Sequence, residues 1–124
     1  MSLVDTSVWV DHLRKGDGRL VELLKRGDVV MHPFVVGEIA CGNLAHRTLT
    51  LDLLEQLPRA VVADTDEVLG YIDRHNLHGK GIGYVDVHVL TSAALGDTKL
   101  WTRDKRLRAV AGSLGCALAA AGGH

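Results

Sequence analysis

The sequence predicts a single α/β domain over residues 1–124, with a mainly parallel central sheet of four to five strands flanked by helices. Short apolar runs of strand length alternate with longer segments of helical period, the order that builds parallel sheets. The chain has 124 residues, 47% hydrophobic and 23% charged, which suffices for one core and suits a globular rather than a disordered protein. Acidic residues also stand where strands hand over to helices, the edge at which open α/β sheets form their ligand sites.

Leu3-Val4 opens as a short strand, and Thr6 to Leu13 follows as a helix. Arg19 to Lys25 is a second helical piece; Asp28 to Met31, with its Val-Val-Met centre, is the next strand. Pro33 suits a first helical turn, where a missing N–H costs nothing, so a helix is expected over Phe34 to Leu44. Leu49 to Gln56 is a further helix and Ala60 to Ala63 the third strand. Asp64 or Thr65 caps a helix that runs to His75. A loop with three glycines, Asn76 to Gly83, leads into Tyr84 to Leu95. That helix is apolar nearly all round, as expected in the middle of a domain. Lys99 to Thr102 is the fourth strand, Asp104 to Ala111 the last helix, and Cys116 to Ala119 an edge strand; residues 120–124 are expected to fray.

Composition excludes several classes. Fourteen Lys and Arg against fifteen Asp and Glu give a net charge of -1, which argues against coating nucleic acid by bulk charge and leaves room for a local basic rim. Cys41 and Cys116 form no C-x-x-C pair, so each reads as a small core residue in a reducing compartment. No run approaches the roughly 18 apolar residues of a membrane span, and the N-terminus lacks a secretory pattern. The expectation is a cytoplasmic protein without a membrane partner.

The chemistry resides in the acids. Asp5, Glu38 and Asp86 are each the only formal charge in an apolar stretch: residues 1–10, 29–46 and 81–96. Glu38 lies one helical turn from Phe34, Val35, Cys41 and Gly42, and Asp86 one turn from Val89, Leu90 and Ala93. Both should therefore face the core or a cleft in it. Asp5 and Asp104 follow strands. Helix capping explains either alone, a solvated face explains Glu38 alone, and a favourable first-turn acid explains Asp86 alone. These readings do not explain the four together. Converging carboxylates repel unless a cation neutralises them, and an all-oxygen set suits Mg²⁺ or Mn²⁺, which can activate water for in-line attack on a phosphodiester.

LVDTSVWVDHL at the start, VGEIACGNL in the middle, KGIGYVDVHVLTSAAL later and LWTRDKRL near the end resemble the acidic motifs of PIN-domain nucleases, in order and over nearly the whole chain. Length and wording are similar to the VapC toxins of type II toxin–antitoxin systems. The resemblance implies a Mg²⁺- or Mn²⁺-dependent endoribonuclease in which Asp5 and Asp86 ligate metal. Asp104 completes the site directly or through water, and Glu38 ligates metal or positions the attacking water. It places Thr6, Ser7 and Thr102 at the family's small hydroxyl positions, where helix caps and strand-end hydrogen bonds are an equal alternative. It further implies a homodimer and a cognate VapB-like antitoxin whose C-terminal segment covers the acidic cleft. The rivals are a PIN nuclease of RNA processing with no antitoxin, and a catalytically silent α/β binding module.

Arg103, Lys105, Arg106 and Arg108 surround Asp104 and can hold RNA phosphates or form a solvated face. HGKGIG lacks phosphate-loop spacing and reads as a lead into the Asp86 helix, with Lys80 a candidate phosphate contact. His75 and His78 read as surface loop rather than a metal site. His88 should pack or hydrogen-bond, and Trp9 and Trp101 belong to core or interface.

Overall fold

The computed structural model describes residues 1–119; the expected fraying at 120–124 lies outside the described residues. In chain order the elements are β1 (Ser2–Val4), α1 (Thr6–Lys15), α2 (Gly18–Lys25), β2 (Val29–Val30), α3 (Pro33–Ala40), α4 (Arg47–Glu55), α5 (Thr65–His75), α6 (Tyr84–Leu95), β3 (Lys99–Trp101) and α7 (Lys105–Ser113). The strands are parallel in the order β2-β1-β3. β1 is buried along its whole length, as a central strand covered on both faces must be, and it ends at Asp5.

The sheet is shorter than the sequence suggests. The third strand expected at Ala60 to Ala63 is one parallel bridge, Met31 to Arg59. Met31 N–H donates to Pro58 and Ala60 N–H to Met31, at 2.8 and 3.0 Å. Pairing stops there because the Ala63 N–H turns to the Ser92 hydroxyl at 3.1 Å, while Val61 and Val62 are exposed. The edge strand expected at Cys116 to Ala119 is likewise one bridge, Leu100 to Ala117. Among the described residues, three strands with a bridge on each outer edge stand where four to five strands are expected.

α3 ends at Ala40, short of Leu44. The Cys41 and Gly42 N–H groups close back on Gly37 and Ile39, and His46 at φ 49° redirects the chain into α4. Cys41 is therefore exposed rather than a core residue, and Cys116 is half-buried; both are free thiols. α6 has every residue from Val87 to Ala93 buried, which is why it shows no polar face. Leu3, Val8, Leu20, Leu90, Leu100 and Leu107 anchor the core at zero to 1% exposure, each contributing about 1.5–3 kcal/mol by burial. No helix among the described residues is long and apolar enough to cross a membrane.

Candidate active site

Asp5 sits at the N-cap of α1 and its side chain makes no capping bond. The carboxylate is 6% exposed, and its partners come from elsewhere. Oδ2 accepts from the Thr102 hydroxyl at 2.8 Å and from the Ser7 hydroxyl at 3.0 Å. Each hydroxyl also accepts a backbone N–H from the β3–α7 turn: Asp104 N–H on Thr102 at 3.1 Å, Arg103 N–H on Ser7 at 3.0 Å. Two neutral donors thus hold one carboxylate oxygen, and the same two side chains order the turn that carries Asp104. Ser7 does not cap α1 and Thr6 does not either. The Thr6 hydroxyl donates to Glu38 Oε1 at 2.7 Å, bridging α1 to α3.

Of the two expected surroundings, core or cleft, Glu38 takes the cleft. It is exposed, since Phe34 and Cys41 of its stripe are exposed while Val35 is buried. It stands at the wall of a groove of about 550 Å³, with Val10, Leu13, Ile39, Leu44 and His46. Thr6 fixes it over the end of β1. Asp86 is half-buried at the third position of α6, where Oδ2 accepts the Gly83 N–H at 3.3 Å. Asp104 caps α7, accepting the Leu107 N–H on Oδ1 at 2.9 Å, and is exposed.

These four positions share one electrostatic environment. Burial raises the pKa of Asp86, the Gly83 N–H opposes that rise, and the charges of Asp5, Asp104 and Glu38 add to it. The charges of the other three acids thus act in one direction on Asp86. The acids nonetheless stop short of a closed cluster: among the described residues, no trio of His, Cys, Asp or Glu is gathered tightly enough to grip a metal ion as it stands. The donor set itself fits Mg²⁺ or Mn²⁺, being all oxygen, crowded with like charge, and anchored at Asp5 by two hydroxyls.

The basic residues divide. Arg103 pairs with both Asp11 and Asp17 and stacks over Trp101 at 5.9 Å. It therefore ties the β3–α7 turn to α1 and to the start of α2. Hydrogen bonding to Arg103 lowers the pKa of Asp11; the Leu20 N–H, then Arg103, lowers that of Asp17. Lys80, Lys105, Arg106 and Arg108 have no ionic partner among the described residues. Lys80 and Arg106 line a groove of about 350 Å³ with His75, Leu77 and Val110. Gly81, at φ +77°, lets the Arg106 side chain lie on its backbone, since a Cβ there would meet Nη1 at 2.7 Å. The glycine loop thus seats a cation beside the Asp86 helix, although it is no phosphate loop.

Trp9 is buried in the core. His88 is buried between Phe34, His32 and Tyr84, with Nδ1 unpartnered. His32 carries no signal in the sequence beyond its place before Pro33. It is fully buried and uses both ring nitrogens.

Residues 2–113 match the family described as PIN domain. Two proteins named Ribonuclease VapC32, from Mycobacterium tuberculosis strains CDC 1551 / Oshkosh and ATCC 25618 / H37Rv, are each 50% identical over 120 residues, 96% of this chain and 97% of theirs. Among solved structures, FitAcB from Neisseria gonorrhoeae superposes with a TM-score of 0.64 at 23% identity over 90% of this chain and 94% of that one. FitAB bound to an IR36 DNA fragment gives 0.63 at 22% over 90% and 91%; at that identity both speak for the fold alone. By the family match and by half-identity over nearly its whole length, the chain belongs to the PIN-domain family, among its VapC-type members.

Proposed function

We propose that this protein is a Mg²⁺- or Mn²⁺-dependent endoribonuclease and the toxin of a toxin–antitoxin pair. The observation that carries the reading is the hydrogen-bond network at the strand ends, where Thr102 and Ser7 hold Asp5 and order the turn that carries Asp104, and Thr6 holds Glu38; the raised pKa of Asp86, from burial first and then the charges of these acids, agrees with it. The relatives named Ribonuclease VapC32 support RNA as the substrate.

Asp5 and Asp86 are the primary ligands in this reading, with Asp104 and Glu38 completing the set. These residues would hold a divalent ion, whose chemistry when bound would be activation of water and neutralisation of charge at the scissile phosphate. The chain's own groups do the positioning. Ser7 and Thr102 hold Asp5 Oδ2 and so present Oδ1 to the cleft. Thr6 orients Glu38, whose second oxygen is left to accept a proton or a water. Lys80, Lys105 and Arg106 contact phosphates on either side of the cut. In the cell the protein works in the cytoplasm as a homodimer, held silent by a VapB-like antitoxin. An antitoxin segment lying in the apolar groove of Val10, Leu13, Ile39 and Leu44 would reach Glu38 at its wall.

The test is cleavage of RNA by purified protein with Mg²⁺ or Mn²⁺. Activity should vanish in Asp5→Asn and Asp86→Asn. Undiminished cleavage in excess EDTA would overturn the mechanism.

A further inference from the structure

His32 is the last residue before α3, and nothing in the chemistry above uses it. Its ring is wholly buried. Nδ1 accepts the Phe34 N–H at 3.0 Å and so caps α3. The proton is therefore on Nε2, which faces the Ser92 hydroxyl of α6 at 3.1 Å. The same hydroxyl oxygen accepts the Ala63 N–H at 3.1 Å, so both of its lone pairs are engaged. One neutral imidazole thus joins the start of the Glu38 helix to the Asp86 helix and, through Ser92, to the segment after the Met31 bridge. Burial, with His88 opposite, pulls the His32 pKa down to about 4, so the ring is neutral and keeps both bonds at neutral pH.

We propose that His32 is a positioning residue: through its Nε2–H bond to Ser92 it sets the spacing between α3 and α6, and so between Glu38 and Asp86. The inference rests on the metal-site reading of those two acids. Reach makes the geometry specific. Glu38 begins one turn beyond the capped Phe34, and Ser92 lies less than two turns beyond Asp86, so a shift at the histidine is carried to the acids by rigid helix. Misplacement of reacting groups by about 1 Å can cost on the order of a hundredfold in rate.

Two substitutions separate the cap from the tie. Asn at position 32 keeps an acceptor at the Nδ1 position and cannot reach Ser92; Gln places a donor near the Nε2 position and gives up the cap. Mn²⁺ affinity by calorimetry and melting temperature without metal are measured for wild type, His32→Asn, His32→Gln and Ser92→Ala, with cleavage of one RNA as kcat and KM. We expect His32→Asn and Ser92→Ala to lose about tenfold in Mn²⁺ affinity and in kcat, with KM little changed. His32→Gln should hold affinity closer to wild type while melting lower than His32→Asn. A wild type that binds Mn²⁺ and cleaves, with His32→Asn and Ser92→Ala matching it or with losses that merely follow melting temperature, overturns the positioning role and leaves the metal site standing. A wild type that neither binds Mn²⁺ nor cleaves overturns both. If both histidine variants fail to fold, Ser92→Ala alone decides, since Ala suits the helix interior.

Discussion

Thr102 donates a 2.8 Å hydrogen bond to Asp5 across the sheet, from the residue after β3 to the residue after β1. The two strands are in register, Val4 opposite Trp101, so the donor meets the carboxylate without distortion. The bond is buried and ends on a charge, which places it in the class worth about 1.5–3 kcal/mol. Thr102→Val keeps the shape and removes the hydroxyl. It should lower stability by about 1.5–3 kcal/mol in urea unfolding and reduce cleavage, because Asp5 Oδ2 is then held by Ser7 alone. Unchanged unfolding would show that the hydroxyl does not bear on the carboxylate.

Which parts were legible follows from where the physics is local. Helices announced by period and cap, such as α5 behind its Asp64–Glu67 capping box, read directly from sequence; Asp5, Glu38 and Asp86 stand out as lone charges in apolar runs, and Asp104 by its place after a strand. Strand length was not legible. Whether Ala60 to Ala63 pairs further depends on a hydroxyl twenty-nine positions away taking the Ala63 N–H. Arg103 looked free because its acids, Asp11 and Asp17, are brought to it only by the fold. For Glu38 the sequence leaves core and cleft open, because apolar neighbours such as Phe34 and Cys41 do not say whether the face they share is covered; in the fold Glu38 borders a groove.

Asp86 carries a destabilising charge. Its folded pKa is raised, so folding favours the protonated form. That contribution is present below the unfolded carboxylate value and lost as pH rises through the raised folded value. At neutral pH the ionised side chain opposes the fold. Metal-free Asp86→Asn should therefore melt at or a few degrees above wild type, since the amide oxygen can still accept the Gly83 N–H. The gap should close as pH falls through the acid range. A large loss of stability in this variant would mean that the carboxylate holds the fold together rather than straining it.

Divalent cations should reverse that strain. A ligand that binds only the folded state stabilises it by RT ln(1 + [L]/Kd), about 2.7 kcal/mol at a hundredfold excess over Kd. Mn²⁺ or Mg²⁺ should raise the wild-type melting temperature in a concentration-dependent way, and Asp5→Asn and Asp86→Asn should lose most of the rise. An equal rise in all three proteins would locate the binding away from these acids.

The cations next to the site should separate by their partners. Arg103 is committed to Asp11 and Asp17, whereas Lys80 and Arg106 line an open groove with no ionic partner among the described residues. A cation that neutralises an RNA phosphate releases counterions, so its removal flattens the salt dependence of binding by about one unit of log–log slope. With Asp86→Asn as a non-cleaving background, Lys80→Ala and Arg106→Ala should each weaken RNA binding and lower that slope by about one. Arg103→Ala should leave the slope nearly unchanged and instead lower the melting temperature slightly, because its pairs are solvent-exposed ones. Gly81→Ala supplies an independent check: its Cβ would collide with the Arg106 guanidinium, so it should mimic Arg106→Ala in slope without removing any charge. A slope lowered by Arg103→Ala and untouched by Arg106→Ala would assign the phosphate contacts the other way round.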